Sequence, residues 1–127
     1  MCYAILCYND EGTVWSMSKA EDDAMMVRLA AVEDRLVKAG KLGPALRLLP
    51  TTAATTLRKG AGDEPLVIDG PFAETKEHLL GFFLVDVATL EEALAIAREL
   101  AACKTGSSYE VRPIAVYHGE RRTGVAP

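Results

Sequence analysis

Two segments of this chain have apolar side chains on both of the faces that a β-strand presents. They are residues 3–8 (Tyr-Ala-Ile-Leu-Cys-Tyr) and residues 81–87 (Gly-Phe-Phe-Leu-Val-Asp-Val). Successive side chains of a strand point to opposite faces, so a sheet with one face in water alternates apolar and polar residues. Neither segment alternates in this way. A sheet built from these strands therefore needs a covering layer on each of its faces.

Two amphipathic helices are predicted from their start signals. Ser18 is followed three residues later by a glutamate, and Thr89 repeats the pattern, in each case next to apolar residues at helical spacing. A glycine lies just beyond the end of each apolar pattern, where helices commonly stop. We expect the first helix from Lys19 to Ala39 and the second from Leu90 to Ala102.

Shorter strands complete the predicted order of elements. We expect them at residues 46–49, 54–58, 66–68 and 109–117, and residues 9–12 form a turn after the first strand. Pro113 in the last strand indicates a bulge or an edge position. The resulting order, β-α-β-β-(β)-α-β, is the ferredoxin-like split βαβ arrangement, an α+β fold with both helices on one face of a mainly antiparallel sheet. It forms a single domain over residues 1–118, followed by a polar tail at 119–127.

The second face of this sheet needs a cover that the two helices do not supply. A second copy of the sheet, packed face to face at about 10 Å, provides one. The alternative is a monomer with an exposed apolar patch, which is uncommon unless the patch has a function. We therefore predict a homodimer that buries at least about 1,600 Å² in total.

Charge and metal-ligand spacing argue against several classes of function. The formal net charge is −4 and basic residues cluster in nothing larger than a pair such as Arg121-Arg122, which argues against direct binding of nucleic acid. The three cysteines and two histidines lack the spacing of a disulfide framework or a metal site, and no phosphate-binding glycine motif is present. We expect no metal and no other cofactor.

The predicted location rests on two features of the sequence, the absence of visible membrane and export signals and the presence of free thiols. No run of about 18 apolar residues and no signal peptide is visible, so we expect no membrane partner. Free thiols suit a reducing compartment. A cytoplasmic location follows as the expectation.

Residues 69–77 read Asp-Gly-Pro-Phe-Ala-Glu-Thr-Lys-Glu, and His-Leu-Leu-Gly-Phe follows. This segment resembles the DGPF motif of the YCII-related family. The strands on either side of the motif, the second helix and residues 110–113 (Glu-Val-Arg-Pro) fit the same pattern. The resemblance implies the dimeric α+β barrel fold.

The same resemblance implies two kinds of function. In the wider family a histidine and an aspartate point to enzymatic activity, and at least one relative is a dehydrochlorinase acting on a chlorinated hydroquinone. Fusion of some members to sigma-factor-like domains implies a link to transcription initiation. The first helix of this chain contains no histidine, so only the aspartate has a counterpart, Asp69.

A structural interpretation accounts for the motif without any chemistry. An aspartate can bond the backbone two residues on, Gly70 tolerates positive φ, and Pro71 fixes its own φ. Phe72 can then anchor the loop in the core. This interpretation predicts that the Asp69 carboxylate accepts backbone N–H bonds within its own loop.

A functional interpretation starts from the charge density of the motif. Asp69 is the candidate general base, and Lys76 is the candidate cation that stabilises an anion. The neighbours of His78 are charged and indicate an exposed turn, which disfavours a catalytic role. Ion pairs that merely hold the loop, such as one of Arg112 with Glu110, are the alternative. The candidate ligand-binding residues are Arg47, Glu74, Glu77 and Arg112.

Two functions from different classes therefore stay open. The first is a dimeric module that binds a small ligand or a protein partner. The second is a small-molecule lyase or isomerase that uses Asp69 with a cationic helper. The position of Asp69 discriminates between them, because a lyase needs this carboxylate to face a cavity with a basic group nearby.

Overall fold

The computed structural model describes residues 1–60, 62, 64–104 and 106–118 of the chain. The predicted order of elements is confirmed, with one short additional helix after the first strand. A single 3₁₀ turn, Thr51–Ala53, precedes the third strand. The elements are β1 (Cys2–Asn9), α1 (Glu11–Trp15), α2 (Lys19–Lys38), β2 (Leu42–Arg47), β3 (Thr55–Arg58), β4 (Leu66–Asp69), β5 (His78–Asp86), α3 (Leu90–Ala101) and β6 (Ser108–Pro113).

Four of the strands form one antiparallel sheet in the order β2-β5-β1-β6. This is the strand order of the ferredoxin-like arrangement, so the predicted α+β fold is correct. β3 and β4 form a separate antiparallel hairpin inserted between β2 and β5. The edge strands β2 and β6 contain Pro44 and Pro113, which fits the edge position predicted for Pro113.

The start signal at Ser18 forms both predicted capping bonds, and the one at Thr89 forms a single bond of its predicted capping box. The Ser18 hydroxyl accepts from the Glu21 amide at 3.1 Å, and the Glu21 carboxylate accepts from the Ser18 amide at 3.0 Å. The Thr89 hydroxyl accepts from the Glu92 amide at 3.2 Å. These bonds satisfy amides that have no partner within the helix, and this explains why α2 and α3 begin where the sequence predicts.

The hydrophobic core lies between the helices and one face of the sheet. Ile5, Val85, Leu36 and Leu100 have at most 2% of their surface exposed, and they come from β1, β5, α2 and α3. An ion pair between Arg35 and Glu99 joins the two helices at the surface. Both helices therefore lie on the same face of the sheet, as predicted.

The opposite face of the sheet is apolar as well. The register pairs Ala4 with Leu84 and Leu6 with Phe82 across β1 and β5, and all four side chains are only half-buried. Leu46 of β2, opposite Phe82, is 43% exposed. The prediction of strands that are apolar on both faces is thus correct.

Several predicted boundaries were wrong. β2 begins at Leu42 rather than at residue 46, because pairing with β5 extends back through an irregularity at Gly43-Pro44. The last strand ends at Pro113 rather than at residue 117. Residues 9–12 do not form a simple turn, because the Asp10 carboxylate accepts from the Gly12 amide at 2.9 Å and caps α1. The predicted tail at 119–127 lies outside the described residues.

None of the helices in the described ranges combines the length and apolar character that a membrane span requires.

Candidate functional site

A cavity of about 670 Å³ lies between the helices and the sheet, at the end where β1 finishes and β5 begins. Its volume is in the range of small-molecule sites, which is about 300–1,000 Å³. Residues of α1 and α2 form one side, and residues of β1, β2 and β5 form the other. Large apolar side chains of the wall include Trp15, Met25, Met26, Leu29, Leu48 and Phe83.

Two cations in the cavity wall pair with no acidic side chain among the residues that the structure describes. Arg28 donates through Nε and Nη2 to the carbonyl of Cys103, at 3.1 and 2.9 Å. The ammonium of Lys104 lies 5.6 Å from the centre of the Tyr109 ring. Within the described residues, neither cation has a carboxylate oxygen within 4.0 Å. Their charges are thus available to an anionic ligand.

The third cation of the wall, Arg47, is already engaged. It pairs with Asp22 at 3.0 Å and lies over the Trp15 ring, 4.8 Å from the ring centre. The structure therefore brings this sequence-predicted ligand residue into the cavity, with its charge compensated. Among the acidic side chains of the wall, Glu21 is held by its capping bonds, and Glu33 makes no bond within the described part of the chain.

The thiol and phenol next to these cations are protonated at neutral pH. Burial raises the pKa of Cys7, which lines the cavity, to about 11, and the positive charge of Lys104 offsets part of this rise. Burial also raises the pKa of Tyr109 to about 12. Because the thiolate is the reactive form, Cys7 is not an activated nucleophile.

A second polar cluster joins α1, the 3₁₀ turn and the start of β5. The Glu11 carboxylate accepts from the Thr51 amide at 2.6 Å and from the Thr51 hydroxyl at 2.5 Å. His78 Nδ1 lies 3.5 Å from Glu11 Oε1 and is enclosed, without a hydrogen bond of good geometry in the described structure. The His78 side chain is 19% exposed. The expectation that His78 lies in an exposed turn was wrong, because this residue begins β5 and its ring packs against Glu11.

The Asp-Gly-Pro-Phe loop is held by backbone bonds rather than by Asp69. The Gly70 amide donates to the carbonyl of Ala54 at 2.7 Å, and the Thr56 hydroxyl donates to the carbonyl of Gly70 at 2.8 Å. Gly70 has φ +105°, which confirms the predicted positive φ. Asp69 is exposed, and its carboxylate accepts no bond from any described residue. The predicted bonds from Asp69 to its own loop are therefore wrong, because β3 already supplies the partners that hold this turn.

Phe72 does not anchor the loop in the core. It is 75% exposed, and the Arg58 guanidinium lies 5.7 Å from the centre of its ring. The β3–β4 hairpin beside it is exposed too, with Leu57 and Val67 at 64% and 67%. The prediction that Phe72 packs in the core was wrong, because β3 and β4 pair with each other and not with the four-stranded sheet.

The remaining charged candidates lie away from the cavity wall. Arg112 pairs with Glu110 on the open sheet face, opposite Ala4, and this pairing lowers the pKa of Glu110. This is the ion pair that was the alternative to a ligand-binding role. Asp69 does not line the cavity, so the structure does not bring the candidate base to its cations. Three further candidates are exposed and make no side-chain bond with another described residue, namely Glu74, Lys76 and Glu77.

Sequence reasoning missed Arg28, Lys104 and Glu11, and it disfavoured His78. Arg28 was detectable, because it lies three residues after Met25 and next to Leu29, beside the buried stripe of α2, although it is itself exposed. Lys104 and Glu11 gave no comparable signal, since Lys104 lies in the connection after α3 and Glu11 begins the short helix α1, whose residues were predicted to form a turn. The described residues hold no cluster of three or more His, Cys, Asp or Glu side chains that would suit a metal ion.

Comparison with known proteins bears on the whole chain rather than on one motif. The family model of the YCII-related domain matches residues 1–117. An uncharacterized protein of Rhizobium meliloti (strain 1021) is 59% identical over 118 residues, which cover 92% of this chain and 94% of the relative. With its strand order and its Asp-Gly-Pro-Phe loop, this chain belongs to the YCII-related domain family.

Proposed function

We propose that this protein is a small-molecule-binding module whose cavity takes a compact apolar molecule carrying one anionic group. The observation that carries the proposal is a cavity of about 670 Å³ with two cations in its wall that no carboxylate of the described chain compensates. Apolar walls with a few polar groups that fix orientation are typical of small-molecule sites.

The chemistry of the ligand follows from the chemistry of the wall. Trp15, Met25 and Phe83 supply apolar contact, which favours an aryl or alkyl body. Arg28 already donates two hydrogen bonds to a backbone carbonyl. Lys104, which follows α3, is therefore the cation that we expect a ligand carboxylate to bind. A carboxylic acid with an apolar side chain of moderate size satisfies both requirements.

The single tryptophan of the chain reports on binding directly. Trp15 lines the cavity, so titration with 3-phenylpropionate should change its emission, whereas the neutral 3-phenylpropionamide should bind at least about tenfold more weakly. Lys104→Gln should weaken binding of the acid by about tenfold, which corresponds to about 1.4 kcal/mol. Lys59→Gln, at an exposed lysine that does not line the cavity, is the matched control and should bind like wild type.

Two results would contradict the proposal. One is that no carboxylate of this kind changes the emission of Trp15 or the thermal stability of the protein, since a ligand of the native state must raise its stability. The other is equal affinity for the acid and the amide, because the cations would then contribute nothing.

The functional unit that we propose is a homodimer through the open sheet face. Leu6, Phe82 and Leu84 form an apolar surface on that face, and the helices pack on the other one. A second copy of the same face is complementary to it by symmetry. Leu84→Glu should give a monomer in sedimentation equilibrium at micromolar concentration, because a carboxylate would be buried in the interface.

The control for the dimer is Val27→Glu, at a residue of α2 that is 71% exposed. This variant should sediment as wild type does. A wild-type protein that is monomeric at micromolar concentration would reject the dimer.

A further inference from the structure

We infer that Arg28 is a positioning residue, which fixes the turn after α3 so that the Lys104 ammonium meets the carboxylate of a ligand in the cavity. Arg28 acts through the Cys103 carbonyl and makes no bond of its own to the ligand. The inference rests on the proposed carboxylate site, and it gives the two cations of the cavity wall different roles.

The guanidinium of Arg28 binds one backbone atom with two donors. Nε and Nη2 both donate to the Cys103 carbonyl oxygen, at 3.1 and 2.9 Å. Arg28 lies on α2, whereas Cys103 follows the end of α3, so this contact joins positions that are 75 residues apart in the sequence. A planar group with two donors defines the direction of the carbonyl as well as its distance, which a single flexible ammonium cannot do.

The Cys103 carbonyl lies where a helix leaves its last carbonyls without a partner. α3 ends at Ala101, and bonds of 3.2 and 3.3 Å from the amides of Cys103 and Lys104 close its last turn. Carbonyls at this end need partners from outside the helix, and a cation is favoured there by the helix dipole. A purely structural role of Arg28, as a cap of α3, is therefore the alternative that an experiment must separate from positioning.

The position of the Lys104 side chain depends on the Cys103 peptide, because the two residues are adjacent. The Lys104 ammonium lies 5.6 Å from the centre of the Tyr109 ring. Tyr109 is the register partner of Cys7, and Cys7 lines the cavity near the end of β1. The contact of Arg28 with the turn therefore decides where along the cavity wall the ammonium lies.

The backbone after Lys104 also needs contacts that hold it. Gly106 and Ser107 both have positive φ, at +71° and +84°. The left-handed conformation is unfavourable for a residue with a side chain such as serine. The two bonds from Arg28 stabilise the start of this turn, and their loss should let Lys104 move.

Two substitutions of Arg28 separate position from charge. Arg28→Lys keeps the positive charge but loses the planar pair of donors, and Arg28→Met loses both. With Trp15 emission as the readout, each variant should bind 3-phenylpropionate about fivefold more weakly or worse, and 3-phenylpropionamide within about twofold of wild type. If Arg28 bound the ligand through its charge, Arg28→Lys would bind the acid like wild type, and this result would overturn the inference.

A double-mutant cycle tests whether Arg28 acts through Lys104. In the Lys104→Gln background, Arg28→Lys should change the affinity for the acid by less than about twofold, because the group that Arg28 positions is already gone. A loss in this background as large as in wild type would overturn the inference, since Arg28 would then act independently of Lys104.

Arg35→Met is the matched control. Arg35 lies on the same helix as Arg28, and its ion pair with Glu99 also joins α2 to α3, but it does not line the cavity. The control should keep the wild-type ratio of the affinities for acid and amide, whatever its thermal stability. A lowered ratio in Arg35→Met would overturn the inference, because any weakened contact between the two helices would then have the same effect.

NMR of the protein without ligand reports on the position of Lys104. The Tyr109 ring should shift the side-chain proton signals of Lys104 upfield in wild type, and Arg28→Lys should return them toward those of an exposed lysine. If the acid binds to wild type but Arg28→Lys changes neither these signals nor the ratio of affinities, only the inference is wrong. If the acid does not bind to wild type, the proposed function is wrong, and the NMR signals still decide whether Arg28 fixes the turn.

Discussion

Gly81 of β5 leaves no room for a Cβ against the backbone of β2, and Gly81→Ala tests whether this close approach is required. A Cβ at this position would overlap the carbonyl oxygen of Leu46 and would lie 3.1 Å from both the Leu46 carbonyl carbon and Arg47 Cα. All three atoms belong to backbone, so no rotamer change relieves the overlap. β2 has to move away from β5, which strains the bond from the Leu48 amide to the Leu80 carbonyl, now 2.7 Å.

The magnitude follows from two opposing terms. Overpacking of this kind costs about 2–3 kcal/mol when backbone must shift. Alanine restricts the unfolded chain more than glycine does, and this stabilises the folded state by about 0.5 kcal/mol. Gly81→Ala should therefore lower the free energy of unfolding by about 2 kcal/mol. Urea denaturation followed by far-UV circular dichroism measures this as a lower midpoint with an unchanged slope.

The same strand pair provides a matched control at Gly43. A Cβ there would meet Leu84 at 3.5 and 3.6 Å, which is ordinary contact, so Gly43→Ala should change stability by no more than about 0.5 kcal/mol. Since β2 carries Arg47 and Arg47 stacks on Trp15, Gly81→Ala should also shift tryptophan emission. Equal midpoints for the two variants would refute the argument that close approach of these strands requires glycine.

Three further perturbations test the helix start, the motif and the buried thiol. Ser18→Ala should lower the free energy of unfolding by about 1 kcal/mol, because the bond from the Glu21 amide to the Ser18 hydroxyl is lost. Ser16→Ala should have a smaller effect, and equal effects in urea denaturation would count against the capping box. Asp69→Asn should change the free energy of unfolding by at most about 0.5 kcal/mol, because the carboxylate is exposed and accepts no bond from any described residue. A decrease of more than about 1 kcal/mol would show that Asp69 does hold the turn. The raised pKa of Cys7 disfavours the thiolate in the folded state, so stability present below pH 9 should fall as pH rises from 9 toward 11. Cys7→Ala should flatten that fall, and an identical pH profile for the variant would contradict the assignment.

The fold was predictable because its decisive signals are local. The capping residues Ser18 and Thr89 lie within three residues of the amides that they bond, so sequence spacing is enough to place the starts of both helices. The two-sided apolar strands depend only on the alternation of side chains within each segment. The short helix α1 escaped prediction because an Asp-Glu-Gly sequence is as typical of a turn as of a single capped helical turn.

The candidate site was less predictable because it is assembled from distant segments. The motif concentrates charge within nine residues, and that density drew the prediction to Asp69 and Lys76. The cavity instead combines Arg28 of α2 with Lys104 after α3, which are brought together when Arg28 bonds the Cys103 carbonyl. No spacing rule links those positions.

His78 shows how sequence neighbours can mislead. Lys76 and Glu77 are exposed, and the prediction extended their environment to the next residue. The chain enters β5 at His78, where pairing with β1 places its side chain on the same sheet face as that of Asn9, and the ring lies against Glu11. Burial of a strand residue follows the face on which it lies, so an adjacent charged residue is a poor guide.

Strand β5 carries both of the proposed functions on alternate residues, and this makes them separable. Phe83 faces the helices and lines the cavity, whereas Phe82 and Leu84 face the opposite side, where the second copy is proposed to bind. Leu84→Glu should therefore abolish the dimer while phenylpropionate still changes Trp15 emission, and Lys104→Gln should weaken binding while the dimer persists. If Leu84→Glu abolished both the dimer and the binding of phenylpropionate while the monomer stayed folded, the cavity would depend on the partner copy. The two faces of the sheet would then not act independently.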